Sequence, residues 1–133
     1  MRTVFADTCY YLGLTSEGDE LHERAVALSR ALPCTVVTTL WVLTEVGDAL
    51  AAPDQRQVFL DLLRGLRDDP DVTILDPTRE LFESGVALYA QRMDKEWSLT
   101  DCISFVAMRQ RGIAEALTAD HHFEQAGFVP LLK

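Results

Sequence analysis

Short apolar runs alternate with longer stretches of helical period along this chain. That alternation restricts the fold more than any other feature of its 133 residues. Thr3-Val4-Phe5-Ala6 reads as a buried strand ending at Asp7. Cys34-Thr35-Val36-Val37-Thr38 is β-branched and reads as a second strand, and Val72-Thr73-Ile74-Leu75 as a third. Glu115-Ala116-Leu117-Thr118 makes a fourth. Phe128-Val129-Pro130 makes a last, edge strand, because Pro130 has no N–H to give to a ladder. Leu21, Ala25, Leu28 and Leu32 recur at helical spacing until Pro33 stops them. Further helices are expected from Leu40 to Ala51, around Phe59 to Leu66, around Leu81 to Tyr89, and from Leu99 to near Gly112. Asp76-Pro77 predicts the start of the Leu81 helix, with Asp76 as N-cap and Pro77 in the first helical position. A short helix over His122 to Gln125 is closed by Gly127. The expected fold is a three-layer α/β/α sandwich around a central parallel sheet, in one domain over residues 1–133.

Composition narrows the function. Twenty-one acidic against twelve basic side chains give a formal charge of −9, so the chain does not bind nucleic acid through a broad basic face, and DNA binding of its own is not expected. A nucleic-acid enzyme stays open, because divalent ions offset local negative charge. No apolar run reaches membrane-spanning length. The first seven residues meet a carboxylate too early for a secretory signal, and the three cysteines include no Cys-x-x-Cys pair. A reduced, cytoplasmic chain is expected, with Cys9, Cys34 and Cys102 buried and inert.

Four acids sit in unusual places. Asp7 and Asp120 each follow a strand, Glu45 lies within an apolar helix, and Asp101 sits in the first turn of the Leu99 helix. Each has a structural reading. Asp7 or Asp120 would cap the next helix, Ser98 and Asp101 would form a capping box stapled by Trp97, and Glu45 would lie at the edge of a buried face. Taken together they point elsewhere. Ligands of an open parallel sheet bind beyond the carboxyl ends of its strands, where strand order reverses. Carboxylates crowded there need a cation, and hard oxygen donors select Mg²⁺ or Mn²⁺. Such an ion can activate water against a phosphodiester. No Gly-rich phosphate loop, dinucleotide fingerprint or nucleophile elbow offers another chemistry.

The segments Val4-Phe5-Ala6-Asp7-Thr8, Trp41-Val42-Leu43-Thr44-Glu45-Val46, Trp97-Ser98-Leu99-Thr100-Asp101-Cys102-Ile103-Ser104-Phe105 and Leu117-Thr118-Ala119-Asp120-His121-His122-Phe123 carry a resemblance. In order and spacing the chain resembles the PIN-domain nucleases, and among them the VapC-type ribonuclease toxins of toxin–antitoxin pairs. The resemblance implies a Mg²⁺-dependent endoribonuclease whose metal is held by Asp7, Glu45, Asp101 and Asp120, with Asp7 and Asp101 the firmest ligands. Thr8 and Thr100 stand beside them to orient a carboxylate or water. Many relatives carry a further acid or Asn just behind Asp120, where this chain has His121 and His122, so a second metal would be held weakly, or only with RNA bound. The implied reaction is in-line hydrolysis leaving 5′-phosphate and 3′-hydroxyl ends. The implied partners are RNA, a cognate antitoxin and a second copy of the chain.

The apolar residues Phe59, Leu60, Leu62, Leu63 and Leu66 nearly encircle a short helix, which reads as a partner interface or as ordinary core. Trp41 has a stacking and a packing reading. Three other functions compete: an RNA-processing PIN nuclease without an antitoxin, a phosphoacceptor receiver, and an inactive binding module. A receiver wants a lysine late at a strand end, and the only lysines are Lys95 and Lys133.

Overall fold

The computed structural model describes residues 2–31 and 33–133. Leu32, expected to close the first amphipathic stripe, lies outside the described residues. The elements run β1 (Arg2–Ala6), α1 (Thr8–Thr15), α2 (His22–Ala31), β2 (Cys34–Thr39), α3 (Leu40–Ala49) and α4 (Arg56–Asp68). Then come β3 (Val72–Leu75), α5 (Arg79–Gln91), α6 (Leu99–Gln110), β4 (Glu115–Leu117), α7 (His121–Gln125) and β5 (Val129–Pro130).

The strands form one five-stranded sheet in the order β3-β2-β1-β4-β5, and every pairing is parallel. Helices flank it, as the sequence pattern predicts. β1 is the middle strand, and Val4, Phe5 and Ala6 are fully buried, so its run is continuously apolar rather than alternating. From β1 the chain first builds outward through β2 to β3. It then returns to lay β4 on the other side of β1, with Phe5 opposite Ala116 and Ala6 opposite Leu117. The order of construction therefore reverses between β1 and β4. Their carboxyl ends carry Asp7 and, three residues past β4, Asp120.

α6 is the most deeply set helix, burying Cys102, Ile103, Ser104, Phe105, Ala107 and Met108. Ser98 starts it. The Ser98 hydroxyl accepts from the Asp101 amide at 3.0 Å, and the Asp101 carboxylate accepts from the Ser98 amide at 3.1 Å. This capping box is the structural reading made for Asp101. Trp97, ahead of the cap, packs edge-on against Phe105 with ring centroids 5.1 Å apart. α5 does not start where the sequence suggests. Thr78, not Asp76, is its N-cap, and the Thr78 hydroxyl accepts from the Leu81 amide at 3.1 Å. A cap acceptor works only from the residue just ahead of the first turn, and Asp76-Pro77 stays in the loop behind β3.

α5 and α6 meet at Gly85. A methyl group there would stand 2.4 Å from Ile103 Cγ1 and 3.2 Å from the Ile103 backbone. Ile103 is itself buried, so the helices would have to part. Gly85→Ala is expected to lower stability by ~1–3 kcal/mol, because overpacking a filled contact outweighs the gain in helix propensity. Chemical denaturation of both chains checks it, and an unchanged or higher midpoint would contradict it.

Candidate active site

The four acids arrive from four elements. Asp7 ends β1 in the N-cap position of α1, yet its carboxylate makes no capping bond. It accepts instead from the Thr118 hydroxyl at 2.9 Å, and the Cys9 thiol approaches at 3.7 Å. Asp7 is only 6% exposed. Burial pushes its carboxyl up to about 7, against the pull of the Thr8 amide and Thr118 hydroxyl, and the nearby charges of Asp101 and Asp120 add to the rise.

Asp101 stands in the first turn of α6. Burial raises its carboxyl above the ordinary range, with the Ser98 amide opposing and the Asp120 charge reinforcing the rise. Asp120 caps α7 by accepting from the His122 amide at 2.9 Å, so its structural reading holds as well. Its own amide donates to the Thr118 hydroxyl at 3.1 Å. Thr118 therefore ties the ends of β1 and β4 together. Glu45, half-buried on α3, accepts from the Thr8 hydroxyl at 2.7 Å. Thr100 makes no hydrogen bond to these acids among the described residues.

Asp7, Asp101 and Asp120 thus lie near one another at the reversal point of the sheet, while the only partner of the Glu45 side chain among the described residues is the Thr8 hydroxyl, one residue after Asp7. Such oxygen donors suit a hard divalent cation. The raised Asp7 carboxyl comes chiefly from burial, with the neighbouring acids adding to it.

Sequence reasoning missed Thr118, a fully buried polar residue at an apolar strand's end. Its position two residues before Asp120 was the available signal. It also missed the place of His122. That ring reaches both Asp101, with Nδ1 3.2 Å from Oδ2, and Asp120, with Nδ1 3.3 Å from Oδ1. Two expectations need correction. Cys9 and Cys34 are half-buried rather than buried, and Cys9 borders the site, its sulfur 3.2 Å from the Thr118 hydroxyl. Burial and the Asp7 charge push the Cys9 thiol up to about 11, which keeps it protonated at neutral pH. Trp41 stacks on Phe82 at 6.5 Å, which favours its packing reading.

The profile of the PIN domain matches residues 4–129. The chain belongs to the PIN-domain family. This is a nuclease family whose members generally depend on divalent metal. The PIN domain is 29% identical over 126 residues to the 23S rRNA-specific endonuclease VapC20 of Mycobacterium tuberculosis, covering 95% of each protein. The crystal structure of M. tuberculosis VapC20, a sarcin-ricin loop cleaving toxin, superposes with a TM-score of 0.86 at 28% identity. It covers 95% of this chain and 96% of that one. FitAcB from Neisseria gonorrhoeae shares the fold with a TM-score of 0.68 at 19% identity, over 96% of this chain and 94% of that one. A toxin-antitoxin complex from Klebsiella pneumoniae shares it too, at 0.61 and 19%, over 89% and 87%.

Proposed function

We propose that this PIN domain is a Mg²⁺-dependent endoribonuclease, the toxin of a toxin–antitoxin pair, and that it cuts structured ribosomal RNA. The observation that carries the reading is the convergence of Asp7, Asp101 and Asp120 at the sheet's reversal point, in a chain matching VapC20 over nearly its whole length. In this reading Asp7, Glu45, Asp101 and Asp120 hold the cation. Bound there, a divalent ion lowers the pKa of water and offsets the charge that develops at phosphorus. The protein's own work is positional. The Thr118 hydroxyl aims the Asp7 carboxylate, the Thr8 hydroxyl aims Glu45, and the capping box fixes Asp101. With Mg²⁺ the products carry 5′-phosphate and 3′-hydroxyl ends, and Mn²⁺ substitutes.

Substrate approach is supported by a groove beside the start of α6, lined by Tyr89, Arg92, Lys95, Trp97 and Ser98 among others. The Arg92 guanidinium lies 5.0 Å over the Trp97 ring. Trp97 is itself buried and Arg92 also pairs with Asp94 at 3.0 Å, so the half-exposed Tyr89 ring, beside Arg92 and Lys95, is the surface here that suits a nucleotide strand. The antitoxin reading rests on a second groove, between α3 and α4. α4 has no buried residue, and Leu43, Leu50, Phe59, Leu60 and Leu63 line the cleft with Arg56 and Arg67 at its rim. Leu60 is half exposed, which suits an apolar segment of a partner. Pairing of two copies belongs to the same reading. No helix among the described residues is long and apolar enough to cross a membrane; in this reading the protein works in the cytoplasm, where ribosomal RNA is found.

Incubation of the antitoxin-free chain with ribosomes and with total RNA tests the proposal. Discrete cuts in the large ribosomal RNA that need Mg²⁺ or Mn²⁺, stop with chelator and vanish in Asp101→Asn are expected. Intact RNA after treatment with folded, metal-loaded protein would overturn it, and cuts ending in 2′,3′-cyclic phosphate would overturn the chemistry.

A further inference from the structure

Asp101 and Asp120 come from different elements, yet one imidazole touches both. His122 Nδ1 lies 3.2 Å from Asp101 Oδ2 and 3.3 Å from Asp120 Oδ1. Capping explains only part of this. The cap of α7 is complete once the His122 backbone amide reaches Asp120, and it asks nothing of the side chain. Contact with Asp101, on another helix, is a separate feature. The ring is also held in place: its side chain is 18% exposed, it leans on His121 with centroids 4.3 Å apart, and its own amide is anchored to the carboxylate it faces.

The spacing is informative. Neighbouring ligands of a six-coordinate divalent ion, each about 2.1 Å from the metal, stand about 3.0 Å apart, and those of a four-coordinate ion about 3.4 Å apart. The two nitrogen-to-oxygen distances fall between these values. Each nitrogen–oxygen pair is therefore spaced as two neighbouring ligands of one ion would be, and the ligand atoms of Asp120 and His122 lie within 4.8 Å of one another.

We propose that His122 is a nitrogen ligand of the catalytic metal site, and that it turns the site's preference from Mg²⁺ toward Mn²⁺ and the later divalent transition metals. The proposal rests on the metal-site reading of the acids given above. Imidazole is a borderline donor. Mg²⁺ gains little from it, whereas first-row transition ions gain progressively along their affinity series. His121 also brings a ring nitrogen within 4.8 Å of the ligand atoms of Asp120 and His122, but its side chain is 62% exposed and its Nδ1 stands 3.7 Å from Asp120 without touching Asp101, so His122 is the better-placed donor. His22, the remaining histidine, is engaged elsewhere, its Nδ1 2.8 Å from the Gly13 carbonyl.

Pulsed electron paramagnetic resonance of the full chain loaded with Mn²⁺ tests this without any cleavage assay. Modulation from a directly bound imidazole nitrogen is expected in the wild type. It should switch to the ¹⁵N pattern when the histidines are ¹⁵N-labelled, a control that needs no substitution. It should persist in His121→Gln and disappear in His122→Gln. Calorimetry should show His122→Gln weakening Mn²⁺ binding by roughly tenfold or more and Mg²⁺ binding by less than roughly threefold, with thermal melting confirming that the variant is folded. Saturating Mn²⁺ with no nitrogen coupling in the wild type, or coupling that survives in His122→Gln, would overturn the proposal. If Mn²⁺ binds in an Asp7-dependent way without nitrogen coupling, this inference fails and the acidic-site reading stands. If no saturable Mn²⁺ binding occurs at all, both fail.

Discussion

Asp7→Asn is expected to abolish RNA cleavage and, at the same time, to make the metal-free protein more stable. The loss of cleavage follows from removing the charge of the most buried acid in the site, and a fall of roughly 10²–10³-fold or more is expected. The gain in stability follows from what that charge costs without a cation. In the unfolded chain the carboxyl ionises near pH 4. Folded, burial holds it up to about 7. Between these values the native state keeps a proton that the unfolded state has released. The contribution to stability is therefore complete below about pH 4, declines as pH rises through about 7, and is flat beyond. The size of the decline is on the order of a few kcal/mol. Asn fits the same space, can still accept from Thr118, and carries no such cost. Thermal melts with chelator from pH 4 to 8 should show wild type losing stability across that range. Asp7→Asn should keep only the smaller slope that Asp101 contributes, and should melt above wild type at pH 8. Added Mn²⁺ should narrow the difference by stabilising wild type alone. A flat wild-type profile, or full cleavage by the variant, would refute the assignment.

Phe105→Ala should be among the most destabilising single substitutions in the chain. The ring is fully buried on α6. It meets Phe123 edge-on at 4.9 Å, Trp97 edge-on at 5.1 Å, and Phe128 at 5.6 Å. Truncation removes the transfer free energy of the ring and leaves a cavity that three rigid aromatics cannot fill, for ~3–5 kcal/mol. At about 4 °C per kcal/mol for a domain of this size, the melting temperature should fall by roughly 10–20 °C. Activity should suffer beyond the loss of folded protein, because Phe123 belongs to α7, the helix that Asp120 caps and that carries His122. Differential scanning calorimetry with cleavage measured well below the transition separates the two effects. A fall of under about 1 kcal/mol would show that the aromatic cluster relaxes far more easily than its geometry implies.

Much of the architecture is written locally. The β-branched run Cys34–Thr38 and the apolar run Thr3–Ala6 become strands, and the helical stripe through Leu99, Cys102, Ile103 and Val106 becomes the deepest helix. These signals succeed because propensity, period and capping act over one or two turns, within reach of a short window of sequence. Where two local signals competed, the window misled. Asp76-Pro77 carries the stronger helix-start pattern, yet Thr78 holds the cap. The acids divide the same way. Their types and their places after strands were visible, and so was the capping box at Ser98 and Asp101.

Which of those acids would meet was not visible. That depends on β4 returning to pair beside β1 rather than extending the sheet at β3. Thr118 reaches Asp7 only because of that pairing, across 111 positions of chain. His122 reaches Asp101 because Phe105 and Phe123 lock α6 against α7. No stretch of sequence encodes either contact, since both arise from non-local burial that compares whole arrangements of the chain. The sequence by itself determined the strands, the helices and the set of acids. The tertiary structure decided that Asp7, Asp101 and Asp120 come near one another, with a histidine between two of them.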